Sequence, residues 1–259
     1  MSAMPPAPRP PKAHGPTPRE PRDPATTSAE RFDAMGREVV VGGATDAELG
    51  AIRRLFERRE RVFSRLRSDS ELRWVDRSEE TTLAVSAVFA DAVADALQAT
   101  RQTAGLVATT RCGAPVRLVG RVLTRAAGVE LDLDAIVTSR AVDDAVRLVG
   151  GPGYVAAGGD VATRTGTVVA LPGRGALHLR SGGLATCDAP PSSPWSVVTV
   201  AAGRCRDAHV AARAAARLGA GGPDWLDEHG LPGRFLGPGG TVANRHWRAA
   251  AETDASTHA

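Results

Sequence analysis

The stretch LDLDAIVTSRAVDDA, Leu131–Ala145, changes its hydrophobic period midway and decides the fold class. Its first part alternates apolar and acidic residues, which is the period-two pattern of a half-buried strand. Further along, the apolar residues recur at helical spacing. The pattern therefore predicts the end of a buried strand (VELDLDAIV) that runs into the first turns of a helix. The residues at this junction are candidates for a ligand cradle.

Strand and helix patterns continue on both sides of this segment. Upstream, Val39–Val41 predicts a strand, a helix begins at Thr45 or Asp46, and a second helix covers 84–103, with SDSELRWV as a polar loop between the helices. Downstream, GYVAAGGDVATRTG, GALHLRSGGLAT and WSVVTVAA predict strands, and RDAHVAARAAARLGAGG predicts an Ala-rich helix with a glycine stop. The mixture predicts an α/β protein (α and β elements mixed) in one domain.

Composition sets the limits of that domain. Residues 1–28 hold nine of the 18 prolines and show no hydrophobic periodicity, so they are predicted to form a disordered Pro-rich tail. Residues 29–247 form the predicted domain, and 42% hydrophobic residues are enough for a substantial core. Residues 248–259 are predicted to be a second disordered tail.

Charge and cysteine content exclude several classes of protein. A net charge of +3 is too small to argue for nucleic acid. The sequence contains no run of 18 apolar residues and no apolar core of an export signal, so neither a membrane span nor secretion is expected. Cys112, Cys187 and Cys205 form no CxxC pair, which favours a reduced compartment and a cytoplasmic location.

Acidic residues mark two candidate sites. Asp132 and Asp134 would share one face of the predicted strand and together could bind Mg²⁺, or one could cap the helix while the other faces water. Gly158 and Gly159 precede Asp160. Paired glycines allow a ligand to approach the backbone, with Asp160 meeting a hydroxyl or a base edge, although a tight turn with a capping Asp gives the same pattern.

Two further candidates lie later in the chain. His209 and Arg213 are four residues apart on the predicted Ala-rich helix and therefore point the same way. Because arginine is not a metal ligand, the pair suits a phosphate or, alternatively, a solvated helix face. Cys187 is either a nucleophile or a buried structural thiol, and the second is favoured because no histidine is close in sequence.

Taken in order, these segments resemble the FAD:protein FMN transferases, the ApbE family, from about Phe32 to Val242. The family's patterns include D-S-x-L, D-L-x-x-I-A-K-G-Y-A-x-D, N-x-G-G-D and A-T-S-G. The similar segments here are FDAMGREV, ERVFSRLRSDSEL, RQTAGLVATT, LDLDAIVTSRAVDDA, AAGGDV, GGLATC, TVAAGRCRDAHVAARAAARLG and WLDEHGLPGRFL. The resemblance implies a single domain with the T-fold-like architecture of the flavin transferases.

The resemblance also implies a chemistry. In that family FAD lies in a cleft with Mg²⁺ at its pyrophosphate, and FMN is transferred from FAD to a Ser or Thr hydroxyl of an acceptor protein. The expected cofactors are therefore FAD, as substrate or ligand, and Mg²⁺. The expected partners are a flavin nucleotide and an acceptor protein that carries the Ser or Thr flavinylation site.

Position by position, the resemblance assigns flavin-binding roles to four residues: Met35, Asp132, Thr138 and Asp160. It puts a backbone oxygen of Ala135 at the metal, and the family's metal-binding Asp and Thr fall on His209 and Arg213.

Several family features have changed in this sequence. The F-D-P triplet of the family falls on Val107, Ala108 and Thr109, and its aromatic residue near the first loop falls on Leu66. The histidine loop H-x-x-D-P-x-T-G has no counterpart, and Asp207 is two residues out of register with the metal-ligand position. Two hypotheses follow: an FAD:protein FMN transferase, or a degenerate, non-catalytic member that binds a flavin or nucleotide or acts as a partner protein.

Overall fold

The computed structural model describes residues 29–250. The predicted tail over residues 1–28 lies outside the described residues, as do residues 251–259 of the predicted C-terminal tail. Residues 248–250, the described part of that second tail, are helical.

The main sheet has eight strands, and every pair of neighbours is antiparallel. Its strands are β1 (Glu30–Ala34), β2 (Arg37–Gly42), β6 (Tyr154–Ala157), β7 (Asp160–Thr163), β10 (Gly182–Asp188), β11 (Val197–Ala202), β12 (Gly233–Gly237) and β13 (Gly240–Ala243). They lie side by side in the order β1-β2-β6-β7-β10-β11-β12-β13.

Two smaller sheets accompany the main one. The first contains β3 (Thr82–Ala84), β4 (Arg117–Val119) and β5 (Val122–Thr124), with β5 in the middle, and the second is the hairpin of β8 (Thr167–Ala170) and β9 (Ala176–Leu179).

Within residues 29–250, the α-helices with both ends described are α1 (Asp46–Phe63), α2 (Glu71–Arg77), α3 (Ala87–Gln102), α4 (Asp134–Val146), α5 (Cys205–Leu218) and α6 (Gly222–Glu228). At α1 the predicted cap is confirmed: Thr45 and Glu48 form a reciprocal capping box, which satisfies two otherwise unpaired amides. The combination of helices and strands in one domain confirms the predicted mixed α/β class.

Helices α4 and α5 cover one face of the main sheet. Buried valines and alanines of β2, β6 and β7 pack against the alanines of α4, and Val198 and Val200 of β11 pack against those of α5. Because side chains alternate along a strand, the residues between them face the opposite side, where Val161 and Leu184 pack with Leu179 and Trp247. The core therefore has a layer on each face of the main sheet, and a further cluster of buried side chains packs α1, α2 and α3 with β3 and β5.

The prediction that VELDLDAIV forms a strand is wrong. Leu131 makes only an isolated bridge to Thr110, and α4 begins at Asp134. Nonlocal contacts hold the segment instead: the amide of Leu131 donates to Asp76 Oδ1 at 3.0 Å, and the amide of Asp132 donates to the carbonyl of Thr109 at 2.8 Å. The alternation reflects burial of Leu131 and Leu133 in a loop, so Asp132 and Asp134 do not share a strand face.

Two other assignments also change. SDSELRWV is not a polar loop, because Ser70 caps a short helix, α2, whose Leu72 and Val75 are buried. GYVAAGGDVATRTG is a hairpin rather than one strand, with Gly158 and Gly159 as its turn. In the part of the chain that the structure describes, no helix is long and apolar enough to cross a membrane.

Candidate functional site

The sheet places Asp160 and Cys187 on the face that α5 covers. Asp160 is the first residue of β7 and pairs with Ala185 of β10. Cys187 lies two residues beyond Ala185, so both side chains point to the same face. The turn before Asp160 is tight for a structural reason: a Cβ on Gly159 would come within 2.2 Å of the carbonyl oxygen of Thr186. Gly159 thus admits the backbone of the neighbouring strand β10.

His209 of α5 forms an ion pair with Asp160. The ring nitrogen Nδ1 lies 2.7 Å from Oδ1 of Asp160, whose side chain is only 3% exposed. Burial lowers the pKa of His209, but the Asp160 carboxylate, followed by the Cys187 side chain, outweighs it and raises that pKa to about 10. The imidazole is therefore positively charged at neutral pH, and it neutralises a carboxylate that burial would otherwise make costly.

A second ion pair lies one helical turn further along α5. Arg213 Nη2 is 3.5 Å from Oδ2 of Asp132, and both side chains remain partly exposed. Arg217 follows on the same helix face, where burial and then the charge of Arg213 lower its pKa. Arg217 also donates to the carbonyl of Leu106. Two arginines thus face one carboxylate, Asp132, which leaves a surplus positive charge.

These contacts do not fit Mg²⁺. The ion needs several oxygen ligands in near-octahedral order. At the two positions on α5 that the resemblance assigns to metal binding, the structure has a charged imidazole and a guanidinium, each bound to its own carboxylate. The carbonyl oxygen of Ala135 is buried inside α4 and accepts the Ser139 hydroxyl at 3.0 Å. Within residues 29–250, no group of three or more His, Cys, Asp and Glu side chains could hold a metal ion.

Met35 and Thr138 meet in a separate cavity of about 230 Å³. Met35 is in the two-residue turn between β1 and β2 and has a φ of 54°, which is uncommon for a residue with a side chain. Thr138 reaches the cavity from α4, and Arg65 and the almost fully exposed Leu66 line its rim. The cavity is lined by apolar side chains together with six polar or charged ones: Arg37, Glu60, Ser64, Arg65, Asp134 and Thr138.

The four predicted flavin-binding residues therefore divide into two groups. Met35 and Thr138 lie in the cavity, whereas Asp132 and Asp160 lie under α5, each bound to a cation. Asp207, the carboxylate that is out of register, is half exposed and pairs with Arg206 at 3.1 Å. Thr109, at the place of the family's F-D-P triplet, is buried and hydrogen-bonds to Thr100 at 2.8 Å.

Asp143 is a positioning residue that sequence reasoning missed. Its two carboxylate oxygens accept the backbone amides of Cys205 and Arg206 at 2.8 and 3.0 Å, so a side chain of α4 caps the N-terminus of α5. Burial raises the pKa of Asp143, although both amides oppose that effect. The only local signal was the acidic pair in AVDDA, which does not reveal a partner 62 residues away.

Comparison with known proteins shows similarity at the level of structure. No protein-family model matches the chain. No curated protein matches it significantly.

Solved structures of three flavin transferases are similar over 86% of this chain. The apo form of the Pseudomonas stutzeri flavinyl transferase ApbE has a TM-score of 0.76 at 16% identity, and 98% of its chain is covered. The ApbE protein of Thermotoga maritima gives 0.75 at 17% identity, and the Vibrio cholerae flavin transferase ApbE gives 0.74 at 16%, each with 99% coverage. The chain therefore has the fold of the ApbE flavin transferases.

Proposed function

We propose that this protein binds a flavin nucleotide in its ApbE-like cleft and uses arginine side chains in place of Mg²⁺ at the phosphates. The observation that carries the proposal is the pairing of Arg213 with Asp132 at the position where the family resemblance implies a metal ligand. A fixed guanidinium neutralises phosphate oxygens and can donate two parallel hydrogen bonds to them.

The charge balance near α5 supports a phosphate. Arg213 and Arg217 share one helix face, and the lowered pKa of Arg217 reflects burial and then the proximity of Arg213. Asp132 offsets one of the two charges and remains within 3.5 Å of Arg213. A pyrophosphate would supply the missing negative charge, while Asp132 holds the Arg213 guanidinium in place before the ligand arrives.

The apolar part of the nucleotide would contact the cavity beside Met35. The Met35 side chain is partly buried and packs against two core clusters, so its position is fixed before a ligand binds. Leu66 adds exposed apolar surface at the rim. An aromatic ring that covers these side chains would remove their surface from water.

Titration with FAD in the presence of a chelator tests the proposal. Arg213→Met keeps an unbranched, flexible stem but removes the charged guanidinium, so we expect the dissociation constant of FAD to rise by roughly tenfold, equivalent to about 1.4 kcal/mol. Arg58→Met, at an exposed position on α1, is the matched control and should leave the affinity unchanged. Riboflavin, which lacks phosphate, should bind the wild type and Arg213→Met equally. Equal FAD affinities for the two arginine variants would reject the phosphate role of Arg213.

FMN transfer is the second candidate function. The structural similarity favours it, because the match spans 98–99% of the flavin transferase chains. The assay is release of AMP from FAD, together with covalent flavin on an acceptor protein with a Ser or Thr site. We expect little AMP release with Mg²⁺ or with a chelator, and strong Mg²⁺-dependent release would establish the transferase instead.

A further inference from the structure

A cavity of about 390 Å³, separate from the one at Met35, lies where the C-terminal end of α4, the end of β7 and the start of α5 meet. Three arginines line it: Arg147, which follows the last residue of α4, Arg164, which follows β7, and Arg204, which precedes α5. All three residues are exposed, so a ligand can reach them from solvent. The fold thus gathers three positive charges, from segments far apart in the sequence, around one cavity.

The acidic side chain at this cavity does not neutralise its arginines. Asp143 is part of the lining, but its two carboxylate oxygens already accept the backbone amides of Cys205 and Arg206. Because that cap satisfies the first amides of α5, an anion in the cavity would be held by side chains and not by the helix end. Among the residues that the structure describes, neither Arg164 nor Arg204 forms an ion pair with an acidic side chain. Their charges are therefore available to a ligand.

The third arginine, Arg147, is only partly neutralised. Its Nη1 lies 2.8 Å from Asp144, but the carboxylate of Asp144 also lies 2.8 Å from Arg59 and 4.0 Å from Arg140. One carboxylate that is shared among three guanidinium groups balances no more than one of their charges. The lining of the cavity therefore keeps a surplus of positive charge, which attracts an anion.

The rest of the lining suits a small phosphorylated molecule. Ser181 offers a hydroxyl group, and Val146 and Ala162 offer apolar surface to a carbon chain. The volume of the cavity lies within the range of roughly 300–1,000 Å³ that small-molecule sites occupy. A guanidinium group can donate two parallel hydrogen bonds to phosphate oxygens, so arginine is well suited to recognise this anion.

We propose that this arginine-lined cavity binds a phosphate dianion, either free or as the monoester of a small molecule, at a site distinct from the proposed flavin cleft. Arg164 follows β7 at the end away from Asp160, and the four residues of that strand span about 10 Å. Arg204 precedes Arg213 by nine residues, which corresponds to about 13 Å along α5. The arginines of the two sites therefore lie at different ends of α5 and can be substituted separately.

Titration calorimetry of the full chain with ribose 5-phosphate, inorganic phosphate and ribose tests the proposal. The wild type should bind both phosphates and should not bind ribose. Arg164→Gln combined with Arg204→Gln should weaken the binding of ribose 5-phosphate by at least about tenfold. The helix start is preserved in this variant, since the Arg204 side chain makes no capping hydrogen bond. Tighter binding of ribose 5-phosphate than of inorganic phosphate identifies a monoester as the ligand, and equal affinities identify free phosphate.

A matched double variant separates this cavity from general effects of charge. Arg117→Gln combined with Arg121→Gln removes the same charge at two exposed positions of the hairpin of β4 and β5, and should leave the affinity for ribose 5-phosphate unchanged. The proposal is overturned if the wild type binds neither phosphate, or if the two double variants lose affinity equally. It is also overturned if the variant at Arg164 and Arg204 binds as tightly as the wild type, because the phosphate then lies elsewhere on the protein.

Discussion

Nδ1 of His209 lies 2.7 Å from Oδ1 of Asp160, in the layer between α5 and the main sheet. The chain segments that carry the two residues are far apart in sequence, and both side chains are largely removed from water. This ion pair and the neighbouring pair of Arg213 with Asp132 put positive charge where the family resemblance implies a metal.

The first prediction concerns the pH dependence of stability. The folded protein raises the pKa of His209 to about 10, from an ordinary value of 6.5. A raised pKa means that the folded state holds the proton more tightly, so this stabilisation is complete below about pH 6.5 and is lost as pH rises through 10. Urea unfolding across that range should show a falling free energy of unfolding, with a shallower fall for His209→Gln. Parallel curves for the two proteins would contradict the raised pKa.

At position 35, in the turn between β1 and β2, glycine should stabilise the protein more than alanine does. Met35 has a φ of 54°, a region in which a Cβ costs roughly 1 kcal/mol, whereas glycine adopts it freely. Met35→Gly should therefore be more stable than Met35→Ala by about 1 kcal/mol, although both lose the same side-chain packing. Thermal unfolding of the pair measures the difference. At the preceding strand residue, Ala34→Gly should be destabilising. If Met35→Gly is likewise less stable than Met35→Ala, the result would argue against the left-handed turn.

The cap that Asp143 provides for α5 predicts a large loss of stability on its removal. Asp143→Ala leaves two amides without an acceptor, that of Cys205 buried and that of Arg206 partly buried, which should lower the free energy of unfolding by about 2 kcal/mol or more. Asp144→Ala is the control, because Asp144 forms partly exposed ion pairs, with Arg59, Arg140 and Arg147, and should cost about 1 kcal/mol or less. Chemical denaturation of both variants provides the comparison. Equal losses would show that Asp143 does not hold α5.

The sequence was sufficient to predict the start of a helix where the interactions that fix it are local. The capping box of Thr45 and Glu48 lies within four residues, so the start of α1 was predictable. By contrast, the amide partner of Leu131 is the side chain of Asp76, 55 residues away, and no alternation of apolar residues distinguishes that loop from a strand. Helix α2 was missed for a similar reason, because its Glu71 accepts from Ser86 in the next helix cap.

For the candidate site, the sequence predicted which helix face the residues occupy but not which side chains they bind. The shared helix face of His209 and Arg213 followed from their spacing, and the absence of an oxygen ligand at either position followed from residue type. Their carboxylate partners, Asp160 and Asp132, depend on how the sheet packs under α5. Cys187 is buried in the apolar layer under α5, as its interpretation as a buried structural thiol predicted, although the same packing also brings it near a histidine that is 22 residues away along the chain.

A double substitution at α5 should build a metal site where the described residues offer no group of three or more His, Cys, Asp and Glu side chains. His209→Asp places a second carboxylate beside Asp160, and Arg213→Thr removes a charge that repels cations and frees Asp132. Mg²⁺ prefers such oxygen ligands, so its affinity, measured by calorimetry, should rise above that of the wild type. FMN transfer need not return, because the histidine loop of the family has no counterpart here. An unchanged Mg²⁺ affinity would mean that α5 does not line a metal-competent cleft.

The dependence of FAD affinity on Mg²⁺ tests the central claim most directly. The wild-type protein is titrated with FAD first in a chelator and then in excess Mg²⁺, with tryptophan or flavin fluorescence as the signal. If arginine side chains take the place of the metal at the phosphates, the dissociation constant is the same under both conditions. Binding that appears only with Mg²⁺, or that tightens by more than about tenfold on its addition, contradicts the account.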